Sequence, residues 1–303
     1  MTDNRSARLR GNLLLLLTAL IWGIAFVAQK SGGEELGPLT FNGLRSLIGA
    51  AALGAALPLL DKLGLSHPPA DRAQRKTLWI GGIICGLALF AATNLQQLGI
   101  LYTNVGKSGF ITALYIVLVP FIGIFLGNKV TWLNWIGVVI AVAGLYLLCG
   151  VGITDGINRG DLLLLGCALL FSVQILAVSR FSPLVDGVRL SCIQFLVVGI
   201  LNLPLQLWRE QFSVAALLNG WLPLLYAGVL SSGVAYTLQI IGQKYTEPTT
   251  ASLLMSLESV FAALSGWLIL RDRMSLPELC GCILVFAAVV LSQLPVPQRR
   301  KES

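Results

Sequence analysis

Apolar stretches of about 18 to 24 residues recur along the whole chain, and at a rise of 1.5 Å per residue each is long enough to cross a hydrocarbon core about 30 Å thick. Core helices of soluble proteins are usually shorter. Composition agrees with a membrane protein: of 303 residues, 56% are hydrophobic and 12% charged. That is about half the charged share of an ordinary soluble domain. A water-soluble fold of this size could not hide so much apolar surface.

The expected spans are about 11–30, 39–60, 77–98, 103–126, 132–149, 160–180, 189–207, 220–243, 247–270 and 276–293. Between them stand Gly37-Pro38, Pro68-Pro69, Asp155-Gly156, Asp186-Gly187 and Glu247-Pro248, pairs that start helices or turn the chain. The first span, a basic start followed by an apolar run, also has the look of a cleaved signal peptide. Ten crossings put both termini on one side, and basic residues say which. Fourteen Lys and Arg fall in the two tails and the even-numbered loops, against five in the odd-numbered loops. Basic loops stay in the cytoplasm, so both termini are expected there, in a bacterial-type inner membrane. The remaining two cations, Arg45 and Lys107, lie inside spans.

The formal net charge of +7 is scattered over short loops and tails, without a basic face interleaved with aromatics, which argues against nucleic acid as a partner. All six cysteines lie in or at the end of apolar stretches without metal-ligand spacing. They read as small hydrophobes, and no disulfide framework, metal or other cofactor is expected.

The sequence is written twice. A shift of 149 lays Gly11-Asn12-Leu13-Leu14-Leu15-Leu16 on Gly160-Asp161-Leu162-Leu163-Leu164-Leu165, and Trp22 on Phe171. A shift of 143 lays Leu95-Gln96 on Leu238-Gln239, Gly99 on Gly242 and Tyr102-Thr103 on Tyr245-Thr246. One further residue of slip lays Lys129 on Arg273 and Gly137 on Gly281. Span one thus has a partner in span six, where no signal peptase could act. Residues 1–150 and 151–303 each hold five spans, an odd number, so the second copy enters the membrane from the opposite face. The expected fold is an all-α integral membrane protein of ten transmembrane helices, arranged as two inverted five-helix repeats. Such repeats can exchange inward-open and outward-open conformations around a site near the bilayer midplane.

These segments resemble the drug/metabolite transporter superfamily, and within it the EamA-type ten-helix exporters. The resemblance covers nearly the whole chain. It rests on Trp22-Gly23 and Lys30, on Arg45 in Leu44-Arg45-Ser46-Leu47-Ile48, and on Gly109-Phe110-Ile111-Thr112 leading to Val119-Pro120. In the second half it rests on Gly160-Asp161-Leu162 and on Ser256-Leu257-Glu258-Ser259-Val260-Phe261. Two departures are Asn128, where the family often has Glu, and Ser259, where it frequently has Pro. The resemblance implies a secondary transporter for amino acids, amphipathic metabolites or drugs, with a cavity lined by both halves and spans five and ten at the periphery.

Read from the residues themselves, Glu258 falls near mid-depth of span nine, where a carboxylate costs a few kcal/mol. It is the candidate proton-coupling group, or else a helix tie. Arg45 cannot shed its charge; it either snorkels outward or faces a cavity, pairing with Glu258 or with a solute carboxylate. Lys107 poses the same choice. The amides Asn94, Gln96, Gln97, Gln174, Gln239 and Gln243, with Trp22, Tyr115 and Tyr236, should turn away from lipid. Some would join helices and others line a cavity. The candidate solute-binding set is Trp22, Arg45, Asn94, Gln96, Lys107, Tyr115, Gln174, Tyr236 and Gln239. Pro58, Pro120, Pro204 and Pro223 are expected to kink or end helices, with Pro120 as a hinge. Gly137 and Ala141 give span five a small-residue stripe for packing in the bundle or between protomers.

A carrier exporting small organic solutes, with proton exchange, fits these features. The single histidine, His67, sits in a loop, and no paired mid-membrane acids appear, so an intramembrane enzyme is not expected. An uncoupled facilitator or lipid-handling protein of the same fold is the alternative. The expected partners are a small-molecule substrate and membrane lipid, with the chain as monomer or homodimer.

Overall fold

A computed structural model describes residues 2–102, 105–128, 130–150, 158–211, 213–265 and 275–294. The described chain is helical throughout. Helix α1 is Thr2–Leu36, α2 Pro38–Lys62, α3 Arg72–Ile100, and α4 the two segments Val105–Ala113 and Tyr115–Phe125. Helix α5 is Trp132–Leu145, continued as a π-helix over Tyr146–Gly150; α6 is Arg159–Phe181 and α7 Gly187–Arg209. Helix α8 runs from Trp221 to Gln243 with a π-helical middle, Tyr226–Ala235. Helix α9 is Pro248–Met255 and Leu257–Ser265, and α10 is Leu276–Ser292. Seven of these are long and apolar enough to cross a bilayer by themselves, while α5 and α10 are shorter apolar helices. The match between Lys129 and Arg273, and the Asp155-Gly156 turn, lie outside the described residues.

Helix starts follow local chemistry. Asp71, Thr131, Asp186 and Ser275 each accept a hydrogen bond from a first-turn N–H, and Asn158 and Ser275 form capping boxes with Asp161 and Glu278. These contacts satisfy donors that a helix cannot pair internally. Gly37 takes φ +85° immediately before Pro38, so α1 and α2 meet in a single-residue corner that a side chain would strain. Helix α1 exceeds the expected 11–30 at both ends, because the polar residues flanking its apolar run continue the helix. A short helix, Val214–Asn219, precedes α8 and was not expected.

The two halves pack almost entirely through each other, in matched contacts. Gly11 of α1 lies on α8, where an added methyl group would sit 2.9 Å from the Gly242 carbonyl oxygen and 2.9 Å from Tyr245 Cβ. Gly160 of α6 lies on α3 in the same way, 2.8 Å from the Gly99 carbonyl oxygen and 2.8 Å from Tyr102 Cβ. The start of α1 thus meets the end of α8, and the start of α6 meets the end of α3. Helices α1 and α3 run in the same sense, so the end of α3 and the start of α1 lie on opposite faces of the membrane. The second copy is therefore inverted relative to the first.

Helices α5 and α10 cross on glycine. A methyl on Gly281 would lie 2.6 Å from the Gly144 carbonyl oxygen, and one on Gly144 2.9 Å from that of Gly281. The small-residue stripe thus packs inside the chain, where a methyl on Gly137 would lie 3.3 Å from the Ala288 carbonyl oxygen.

Both copies interrupt their fourth helix within one residue of the same place. Helix α4 breaks at Leu114, where Leu114 N–H bonds Ile111 O and Val117 N–H bonds Leu114 O; α9 breaks at Ser256, where Ser259 N–H bonds Ser256 O. Pro120 lies within the intact segment beyond the break. The interruption therefore comes from shortened i to i−3 bonds at Leu114 rather than at the proline. The π-helical stretch of α8 adds residues to that helix, and it accounts for a change in repeat spacing. Near its start, Gly86 contacts the Gln194 carbonyl as Gly228 contacts that of Arg45, a shift of 142; after it Gly99 and Gly242 differ by 143. One inserted residue is what a π-bulge supplies.

Helices α2 and α7 run antiparallel and are tied at both ends. At one end Arg189 Nη2 bonds Asp61 Oδ2 at 2.5 Å, and Ser66 Oγ and His67 N–H donate to Asp186. At the other, Glu210 accepts from the N–H groups of Leu39 at 3.0 Å and Thr40 at 2.7 Å. Asp61 and Glu210 stand 149 residues apart, so the two ties are repeat-equivalent, one on each membrane face.

Candidate functional site

A cleft opens between the copies. Its lining carries the repeat. Trp22 and Phe171, and Phe26 and Ile175, are 149 apart; Gln96 and Gln239, Thr112 and Met255, and Tyr115 and Glu258 are 143 apart. Gln29, Arg45, Gln174, Ser231 and Tyr236 complete it.

Tyr115 follows the break of α4 directly and Glu258 the break of α9 by one residue, which brings them face to face. The Tyr115 hydroxyl donates to Glu258 Oε1 at 3.3 Å. Glu258 is 6% exposed, so its carboxyl group faces the cleft and not lipid. Beside it the Trp22 ring lies 4.5 Å from that of Tyr236, which meets Phe195 edge-on at 5.1 Å. Aromatic rings in such tilted contacts make a rigid apolar wall.

Arg45 is 3% exposed and lines the cleft, so it does not snorkel outward. Its Nε donates to Asn42 Oδ1 at 3.0 Å, and the guanidinium stands 6.0 Å from the Phe41 ring. Asn42 in turn donates to Asn94 Oδ1 at 2.9 Å and Thr93 Oγ1 at 3.0 Å. Of the alternatives open to Arg45, a pairing with Glu258 is not formed, and Arg45 has no carboxylate partner among the described residues. Arg189 and Asp61 do form an ion pair.

A second polar chain crosses three helices. Gln239 Nε2 donates to Gln174 Oε1 at 3.2 Å, and Gln174 Nε2 to Gln194 Oε1 at 3.5 Å. Among the lining residues, Gln239 Oε1, Gln29 Oε1 and Trp22 Nε1 are buried and have no partner among the described residues. The cleft lining therefore carries a guanidinium and a carboxyl group against an aromatic wall, with unpartnered amide and indole groups buried among the same residues.

Of the residues singled out from sequence, the structure brings Trp22, Arg45, Gln96, Tyr115, Gln174, Tyr236, Gln239 and Glu258 together at this cleft. Asn94 is placed elsewhere: its amide is committed to Asn42 and to the Phe90 carbonyl, so it supports Arg45 from behind. Lys107 belongs to α4, and its side chain lies outside the described residues. Gln97 and Gln243 join helices, donating to the Gln29 and Ile175 carbonyls respectively. Phe26, Gln29, Thr112, Phe171, Ile175, Ser231 and Met255 were missed. The shifts that match Trp22 to Phe171 and Gln96 to Gln239 also pair Phe26 with Ile175 and Tyr115 with Glu258, a signal present in the sequence. Nothing in the sequence marks Ser231, which reaches the cleft on the π-helical stretch of α8.

Comparison with known proteins agrees with this architecture. The pattern of the EamA-like transporter family matches twice, over residues 9–150 and 158–294. An Archaeoglobus fulgidus protein described as an uncharacterized transporter is 31% identical, over 95% of this chain and 87% of its own length. The uncharacterized inner membrane transporter YedA of Escherichia coli is 26% identical, over 90% of this chain and 87% of its own. A solved crystal structure superposes with a TM-score of 0.77 at 21% identity, covering 93% of this chain and 96% of that one; at that identity it speaks to the fold.

Proposed function

Because the chain belongs to the EamA-like transporter family, we propose that it is a secondary active exporter of small organic metabolites, such as amino acids or amphipathic drugs, working by alternating access. The cleft between the inverted copies is the solute path in this reading, and Glu258 carries the coupling proton. The observation that supports it most is the contact of Tyr115 with Glu258 at matching helix breaks, where the repeat axis passes through the cleft lining. Broken helices at mid-depth supply local freedom and polar groups where a carrier needs both. A buried carboxyl group that faces a cleft can exchange a proton with either side as the cleft changes its opening. The remaining solute-binding groups are Trp22, Arg45, Gln96, Gln174, Tyr236 and Gln239, with Asn94 supporting Arg45 and Lys107 near the start of α4. The membrane is a bacterial-type inner membrane, as the description of YedA suggests, and both termini face the cytoplasm, a reading that rests on the basic loops alone. The chain acts as a transporter rather than an enzyme.

An uncoupled facilitator, in which Glu258 only clasps α4 to α9 through Tyr115, draws on the same hydrogen bond. Flux measurements in liposomes separate the two. A proton-coupled exporter changes the lumenal pH in step with solute movement, so an imposed pH step should drive solute accumulation in the wild type, and Glu258→Gln should abolish that accumulation. Accumulation that keeps its pH dependence in Glu258→Gln removes the residue from coupling, and equilibration without accumulation in the wild type identifies a facilitator.

A further inference from the structure

The proposed carrier function leaves the chemistry of its solute open, and the cleft narrows it. Arg45 is a permanent charge, 3% exposed, at the cleft wall. Its described hydrogen bond uses Nε alone, which leaves the two terminal nitrogens of the guanidinium to the cleft, and Asn42, Asn94 and Thr93 brace it from behind. A buried cation without a counter-charge is costly unless an anion or water reaches it. The planar fork fits a carboxylate through two parallel bonds. Among the residues that line the same cleft, Gln239 and Gln29, 1% and 6% exposed, each hold an amide oxygen without a donor among the described residues. The repeat equivalent of Arg45 is Gln194, which is bonded to Gln174, so the positive charge exists on one side of the repeat axis only.

We propose that the transported solute is an amphipathic organic carboxylate bearing at least one hydrogen-bond donor. Its carboxylate docks on the Arg45 guanidinium, its hydroxyl or amino group donates to Gln239 or Gln29, and its apolar body lies on Trp22 and Tyr236. Arg45 therefore selects the solute by charge, and a neutral ester or a purely cationic compound of the same shape lacks the group that this pocket is built to hold. This inference rests on the cleft being the solute site of the proposed carrier.

The test uses the full-length protein in detergent and matched probes: 3-phenyllactate and 2-hydroxyisocaproate, the methyl ester of each, and 2-phenylethylammonium. Thermal unfolding is followed for each at increasing concentration, since a ligand that binds only the folded protein raises its unfolding temperature. The expected result is a dose-dependent stabilisation by at least one acid that its own ester does not reproduce. Arg45→Gln should lose the effect and Arg45→Lys should retain part of it. Stabilisation by the esters equal to that by the acids, stabilisation by the ammonium compound alone, or no acid outperforming its ester overturns the proposal. These wild-type comparisons decide it even where Arg45→Gln does not fold. The carrier reading fails separately: pH-driven accumulation that depends on Glu258 but is indifferent to carboxylates leaves that reading standing and removes only the solute class.

Discussion

The Tyr115 hydroxyl donates a hydrogen bond to Glu258 Oε1 at 3.3 Å, and the two residues hold the same position in the two copies of the repeat, 143 apart. The copies are thus joined where their polar chemistry differs most: one contributes a phenol and the other a carboxyl group. Symmetry supplies the meeting point, and the substitution of one side chain for another at that point supplies a group able to bind and release a proton.

Replacing Tyr115 with Phe removes that hydrogen bond and keeps the ring. A hydrogen bond of about 1 kcal/mol corresponds to a several-fold change in rate or affinity. Initial rates of pH-driven uptake in liposomes should fall roughly three- to tenfold in Tyr115→Phe and be lost in Glu258→Gln. A Tyr115→Phe rate equal to wild type contradicts a working role for the contact.

The ties at the two ends of α2 and α7 should differ in weight. Asp61 and Arg189 form a partly exposed pair, and such pairs contribute up to about 1 kcal/mol, less in salt. Glu210 instead satisfies two N–H groups at the start of α2, and losing two charge-assisted bonds costs about 2 kcal/mol or more. Thermal unfolding in detergent should therefore show Glu210→Ala more destabilised than Asp61→Asn, with the Asp61→Asn deficit shrinking at high salt. The reverse order contradicts the assignment.

Two glycines make opposite predictions from the same substitution. A methyl at Gly281 meets the Gly144 carbonyl oxygen at 2.6 Å, whereas nothing lies within 4 Å of one at Gly54. Gly281→Ala should lower the unfolding temperature through a clash costing about 1–3 kcal/mol. Gly54→Ala should leave it unchanged or raise it, since alanine is the better helix former by about 1 kcal/mol. Equal effects at both sites contradict the α5 and α10 crossing.

The proposed orientation can be read in intact cells. On a background without the native cysteines, a cysteine at Ser213, exposed before the short helix Val214–Asn219, should react with a membrane-impermeant thiol reagent from outside. A cysteine at His67, in the α2 to α3 loop, should react only after permeabilisation. The opposite pattern inverts the topology.

Much of this fold was written in hydropathy and in repetition. Long apolar runs impose helices in lipid, and the matches of Gly11 to Gly160 and Gly99 to Gly242 turn out to be the glycines at which the copies touch. What the sequence left hidden depends on tertiary arrangement. A buried Arg45 and a snorkelling one have the same local sequence; only the placement of Asn42 and Asn94 behind it decides between them. Asn94 looked like a cleft residue because an amide in a span must face inward, but inward includes other helices. The break at Leu114 carries no glycine or proline signal of its own, and the proline that signals a hinge, Pro120, lies within the next segment. The pairing of Tyr115 with Glu258 was legible in the 143-residue shift, and was obscured because an aromatic and an acid do not look like equivalents.

Alternating access through the cleft between the inverted copies is tested most directly at Ser231, a small cleft residue that is 1% exposed. A cysteine placed there, as the protein's sole thiol in vesicles of known sidedness, should react with an impermeant reagent added to either face, in two populations that a saturating solute shifts. Reaction from one face only, whatever solute is present, or no reaction from either, contradicts the account.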